Sequence, residues 1–243
     1  MINRHLDPYG YMIPEIFPTG EEPYDPNLPL HIDDECKVWL DGKDAGQFTL
    51  DGTYVDDWIG KGSLEVHAAN TNADATRPTY DINTGRVTFI DANGTFLKNE
   101  TLAVTQPNTI FIVAKITGAT NNFIFDGITA RQAVRVNNGI IDLYTPSVGF
   151  ASGHAADAND HIHTIEFNGS SSYHWLDGVS SVALNPGTDN LTDLVIGNHS
   201  NFSLGIDGYI CEVIIYDASL SDVDRVKIEG YLSKKHDIPV TTD

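Results

Sequence analysis

Apolar and polar positions alternate with period two, or run as short apolar blocks, over most of the chain from Lys37 onward. That pattern predicts strands separated by turns. Thr109 to Ile116 (TIFIVAKI) is the most apolar run and reads as a central core strand. Tyr209 to Tyr216 alternates and then turns apolar with Ile210, Val213, Ile214 and Ile215, as expected of a strand buried on at least one face. Shorter strands are predicted at Val38 to Asp41, Phe48 to Leu50, Val55 to Trp58, Asn122 to Asp126, Ala133 to Val136, Ile140 to Tyr144, His161 to Phe167, Tyr173 to Leu176 and Leu194 to Ile196. Asn137-Asn138-Gly139 between two of them is a hairpin signal. One stretch changes period: Ser221 is a natural N-cap with Asp224 three positions on, and Lys234, Lys235 and His236 close the far end with opposite charge. A short helix follows, with Leu220, Val223, Ile228 and Tyr231 predicted to face the body.

The order of strand, cap and helix carries a family resemblance. Glu212 to Asp217 (EVIIYD), Ala218 to Arg225 (ASLSDVDR) and Ile228 to Ile238 (IEGYLSKKHDI) resemble the C-terminal signature of concanavalin A-like, laminin-G-type jelly-roll domains. The Trp-Leu-Asp strand at Trp39 to Asp41, the Arg-Pro-Thr-Tyr run at Arg77 to Tyr80 and the closing Asp177-Gly178 turn match the family's order too. His236 stands where the family usually has Trp. The resemblance covers about residues 36–238 and implies an all-β fold, a two-sheet antiparallel jelly-roll sandwich with one short C-terminal helix. Such domains occur in bacterial surface proteins and in phage virion proteins. If first and last strands pair, as the family fold implies, the two cysteines, Cys36 and Cys211, can lie near one another; their spacing fits no metal motif, and two buried free thiols are expected.

Residues 1–32 differ from the domain at 33–243. Pro8, Pro14, Pro18, Pro23, Pro26 and Pro29 forbid regular helix and favour extended backbone. Ile2, Leu6, Tyr9, Tyr11, Met12, Ile13, Ile16, Phe17 and Tyr24 are too many apolar groups for a solvating linker, which predicts an arm that docks on a partner. Extended at about 3.3 Å per residue, it reaches on the order of 100 Å. The first fifteen residues hold no apolar run of signal-peptide length, and no membrane span is present, so synthesis in a cytoplasm without an export signal is expected.

Charge narrows the partners. Asp and Glu number 34 against 14 Lys and Arg, a net charge of −20, which disfavours nucleic acid because phosphate is repelled. Asp33, Asp34, Asp41, Asp44, Asp56 and Asp57 can supply oxygen ligands for Ca²⁺, which many relatives bind at the sandwich rim, but in no EF-hand spacing. No other cofactor or metal is predicted: His154, His161, His163 and His174 cluster without an obvious third ligand and read as a half-exposed polar face.

Catalytic signals are sparse. Among relatives that hydrolyse glycosides, which need two carboxylates on one wall of a cleft, the laminarinase-like branch carries Glu-Xaa-Asp-Xaa-Xaa-Glu on one strand, and this chain has no such run. Glu166 and Glu212 are isolated on apolar strands and are expected to face outward. The chain therefore reads as non-enzymatic. The family resemblance and the arm imply a structural protein on the virion surface, a lectin-like domain displayed on a phage capsid (decoration) or tail, bound to other virion proteins and forming a homo-oligomer. The alternative is a carbohydrate-binding adhesion module that engages host-surface glycans through Trp58, Tyr80, Tyr173 and Trp175, and a polysaccharide hydrolase comes third.

Overall fold

A computed structural model describes residues 35–72, 74–118, 121–146 and 148–241. The anchoring arm predicted at 1–32 lies outside the described residues, as do Asp33 and Asp34. In chain order the first strands are β1 (Cys36–Asp41), β2 (Phe48–Asp51), β3 (Tyr54–Ile59), β4 (His67–Ala69), β5 (Thr79–Asp81) and β6 (Arg86–Phe89). The middle supplies β7 (Leu97–Val104), β8 (Asn108–Ile116), β9 (Asn122–Asp126), β10 (Ala133–Asn137), β11 (Ile140–Thr145) and β12 (Val148–Ala155). β13 (Asp160–Phe167), β14 (Tyr173–Leu176), β15 (Val179–Ser180), β16 (Leu191–Ile196) and β17 (Gly208–Tyr216) precede the single described α-helix, α1 (Asp222–His236).

Every strand pairing is antiparallel, and the pairings build two layers. The first runs β1, β17, β8, β13, β14, β15, with β6 beside the start of β17. The second runs β2, β3, β4, β7, β16, β9, β10, β11, β12, and β5 joins the layers by pairing with both β3 and β6. The expected all-β sandwich with one C-terminal helix is what the chain forms.

Strand alternation decides which core each side chain enters. Ile110, Ile112 and Ala114 of β8 and Val213 and Ile215 of β17 face the space between the layers. Phe111 and Val113, with Ile214 and Tyr216, point the other way and meet Ile228, Tyr231 and Leu232 of α1. At β8 and β17 the first layer is thus buried on both faces, which is why these two strands read as continuous apolar runs. Each fully buried aliphatic or aromatic side chain contributes about 1.5–3 kcal/mol.

The local turn and cap signals hold in the fold. Asn138 and Gly139 both have positive φ, 50° and 77°, and Asn137 pairs with Ile140, as a two-residue hairpin turn requires. Ser221 caps α1, accepting from the Asp224 amide at 3.2 Å. The helix face is a correction: Val223 is 64% exposed, because it lies five positions before Ile228 and so off its stripe. The buried residues of α1 are Arg225, Ile228, Glu229, Tyr231 and Leu232, so the predicted Ile228 and Tyr231 do face the body. β12 escaped prediction because Gly149-Phe150-Ala151-Ser152-Gly153 shows no alternation.

The thiols are both buried and free. β1 and β17 do pair, but Cys36 lies opposite Tyr216, whereas the Cys211 carbonyl accepts from Gly42 beyond the other end of β1. About five strand residues, roughly 17 Å, separate the two positions. No described helix is long and apolar enough to cross a membrane.

Candidate functional site

The clearest site grows from the hairpin of β13 and β14. Glu166 pairs with Tyr173 and Thr164 with Trp175, while on the other side of β13 Thr109 lies opposite Glu166 and Phe111 opposite Thr164. Directly opposed residues share a face, so Thr109, Glu166, Tyr173 and Trp175 all stand on the outer side of the first layer, the side that α1 covers. Ser180 extends the row from β15, opposite Trp175. The cover stops where α1 begins. There a groove of about 410 Å³ remains, walled by these side chains and by Asp222 and Arg225 from the first turn of α1, within the size range of small-ligand sites.

The groove floor is aromatic. The Tyr173 and Trp175 rings lie 5.4 Å apart at 34°. Trp175 is 9% exposed, because the Arg225 guanidinium sits 4.6 Å above its ring. Arg225 is held there by Glu229, whose carboxylate accepts from Nη1 at 2.7 Å and from the Thr164 hydroxyl at 2.8 Å. Burial pushes the Glu229 carboxyl above its ordinary pKa, outweighing the guanidinium that draws it down. Glu166 is oriented from the other wall: its Oε1 accepts from the Ser219 hydroxyl at 2.5 Å and from Asn168 at 3.1 Å. The result is a tilted aromatic pair edged by two carboxylates, hydroxyls and one guanidinium, a combination suited to sugar C–H faces and hydroxyl groups.

Of the four aromatic residues predicted to bind glycan, the fold brings Tyr173 and Trp175 together and puts the others elsewhere. Trp58 is fully buried and Tyr80 is 6% exposed, both stacked on Phe48 with ring centroids 5.2 and 3.9 Å away. Inward-facing positions of β3 and β5 carry them into the core, so neither ring can meet a ligand. Glu212 and the histidines are also corrections. Glu212 is fully buried beneath α1 and not outward-facing. His163 and His174 are buried, with Nδ1 of the first 3.2 Å from Nε2 of the second. Burial holds both below their ordinary pKa, His163 at about 3. His161 does share a strand face with His163, and the carboxylates of Asp177 and Asp157, at 2.6 and 2.7 Å, raise it to about 9.

The aspartates proposed for Ca²⁺ are matched to protein cations. Asp41 pairs with Lys61 and Lys235, Asp44 with Lys61, Asp56 with Arg77 and Asp57 with His67. Among the described residues no group of three or more His, Cys, Asp or Glu is placed to hold a metal. A second groove, of about 520 Å³, pairs Phe202 with Phe96 beside His67, Lys98 and Glu100. It escaped sequence reading because Phe202 lies in a loop with φ of 62°, outside any periodic segment.

No protein-family model matches the chain, and no curated protein matches its sequence. Solved structures do. Trypanosoma rangeli sialidase is similar at 10% identity with a TM-score of 0.55, over 83% of this chain and 33% of the sialidase. A GH54 α-L-arabinofuranosidase soaked with a cyclic sulfate inhibitor is similar at 10% identity and 0.56, over 74% of this chain and 50% of the other. Domain 4 of AbnA, a GH43 extracellular arabinanase from Geobacillus stearothermophilus, in complex with arabinotriose, is similar at 11% and 0.50, over 81% of this chain and 98% of that domain. The chain spans about a third of the sialidase's length and half of the arabinofuranosidase's. At such identities the likeness establishes a shared β-sandwich fold.

The comparison corrects one expectation. The chain was read as non-enzymatic for want of alternating carboxylates on one strand, yet its structural neighbours include a sialidase and an arabinofuranosidase, both glycoside hydrolases. Glu166 on β13 and Asp222 on α1 line one groove from separate elements, an arrangement that no spacing on a single strand displays. The neighbours belong to carbohydrate-active β-sandwich proteins, a coarser grouping than the phage surface domains of the sequence resemblance.

Proposed function

We propose that this chain is a carbohydrate-recognition domain related to those of glycoside hydrolases, and that it takes its glycan in the groove of Tyr173 and Trp175. The observation that carries the proposal is the aromatic pair edged by Glu166, Ser180, Asp222 and Arg225. Stacking of a sugar ring on Tyr173 combines apolar contact with hydroxyls directed at the carboxylates. Domain 4 of AbnA, a unit similar to most of this chain, is in complex with arabinotriose, which makes arabino-oligosaccharides the first ligands to try. Calorimetric titration with arabinotriose and a panel of oligosaccharides tests the reading. Tyr173→Ala is expected to weaken binding roughly tenfold, about 1.4 kcal/mol, with unchanged circular dichroism. Unchanged affinity in that variant would overturn the assignment.

Hydrolysis is a second reading, favoured by the convergence of Glu166 and Asp222. Turnover of aryl arabinofuranosides, lost in Glu166→Gln, would establish it. The proline-rich segment 1–32 supports a further proposal, display of this domain on a larger assembly such as a phage virion with that segment as anchor. Deletion of residues 1–32 should then abolish incorporation into particles and leave glycan affinity unchanged.

A further inference from the structure

We infer that the groove of Tyr173 and Trp175 selects uncharged glycans and rejects carboxylated ones such as uronic or sialic acids; this rests on the glycan reading above and narrows its ligand class. The wall holds two carboxylates, Glu166 and Asp222, against one guanidinium, Arg225. That single cation is already engaged. Its Nη1 donates to Glu229 at 2.7 Å, its Nε lies 3.6 Å from Asp222, and its plane covers Trp175. Nε is sealed from solvent and makes no hydrogen bond, so an incoming anion cannot reach it without moving the side chain. An anionic sugar that drew Arg225 away from Glu229, which is 1% exposed, would leave a buried carboxylate without its counterion.

The other source of positive potential nearby is the N-terminus of α1, and it too is taken. Ser221 Oγ accepts from the Asp224 amide, Asp222 and Asp224 place two negative charges in the first turn, and these offset the helix dipole where an anion would otherwise settle. The whole chain, at −20, repels polyanions before contact. A neutral sugar meets none of these costs. Its apolar face lies on Tyr173, and its vicinal hydroxyls donate to carboxylates that have capacity for more than one hydrogen bond each.

Calorimetry on the full chain tests this with three probes: arabinotriose as the neutral ligand, and sialyllactose and trigalacturonate as carboxylated ones, each in low and high salt. Arabinotriose should bind with an affinity that salt changes little, and both carboxylated probes at least about tenfold more weakly. Asp222→Asn should narrow that gap by improving the carboxylated probes, and circular dichroism confirms that it folds. A carboxylated probe that binds as tightly as arabinotriose, or better, and weakens with salt, overturns the selectivity while leaving glycan binding in place. Failure of all three probes with folded protein overturns the glycan reading itself. Arabinotriose affinity that survives Tyr173→Ala moves the site elsewhere and removes the basis of the inference.

Discussion

Glu212 gives the sharpest test of how α1 is held over the first layer. Its side chain is fully buried, and it accepts from Trp39 Nε1 and the Tyr231 hydroxyl at 2.8 Å, from Lys235 Nζ at 2.8 Å and from His236 Nε2 at 2.7 Å. Three of those donors sit on α1, so one carboxylate joins β17, β1 and the helix that supplies Asp222 and Arg225 to the groove. Glu212→Ala strips four donors of this acceptor and leaves Lys235 with Asp41, at 2.6 Å, and the Tyr231 hydroxyl, at 2.8 Å. Removing one partner of a buried ion pair costs about 3–5 kcal/mol. For a domain of this size each kcal/mol lowers Tm by roughly 2–4 °C, so a fall of about 6–20 °C is expected in calorimetry at neutral pH. Glu212→Gln keeps an acceptor for Trp39 and Tyr231 and should lose about 2 kcal/mol. Burial, the largest influence on Glu212, raises its pKa, but the bonds from His236 and Lys235 prevail together and hold it below the ordinary carboxylate value. A depressed carboxyl stabilises fully above its unfolded pKa and loses that contribution as pH falls through the folded value. The gap between wild type and Glu212→Gln should therefore close below about pH 4. A loss under about 1 kcal/mol for Glu212→Ala at neutral pH would refute the clamp.

Acid should also act through the buried histidines. His163 and His174 are held neutral by burial, so stability should fall from about pH 6.5 downward, by up to about 1.4 kcal/mol per pH unit for each; urea unfolding of His163→Phe should show a shallower slope. At the alkaline side His161, raised to about 9 by Asp177 and then Asp157, stabilises fully below its unfolded pKa of about 6.5 and loses that contribution as pH rises through 9. Nuclear magnetic resonance should find its imidazole still protonated at pH 8, and Asp177→Asn should bring the titration back toward neutrality.

Regular local structure was legible in the chain because its causes are local. Apolar or alternating runs marked β8, β13 and β17, Asn138-Gly139 marked a turn that needs two positive φ values, and Ser221 with Asp224 marked the start of α1. Those signals depend only on backbone preference and on neighbours a few residues away. Side-chain identity likewise singled out Tyr173 and Trp175, but it singled out Trp58 and Tyr80 with equal force. Only the tertiary structure separated the pairs: Trp58 and Tyr80 face the space between two layers, whereas Tyr173 and Trp175 stand on an outer face that α1 covers incompletely. Glu212 and Glu166 differ for the same reason, one roofed by the last turns of the helix and the other open at its first turn. Burial depends on what packs against a face, and that partner comes from residues far along the chain. The meeting of Glu166, Asp222 and Arg225 in one groove is likewise a product of helix docking, so no spacing within one strand could announce it.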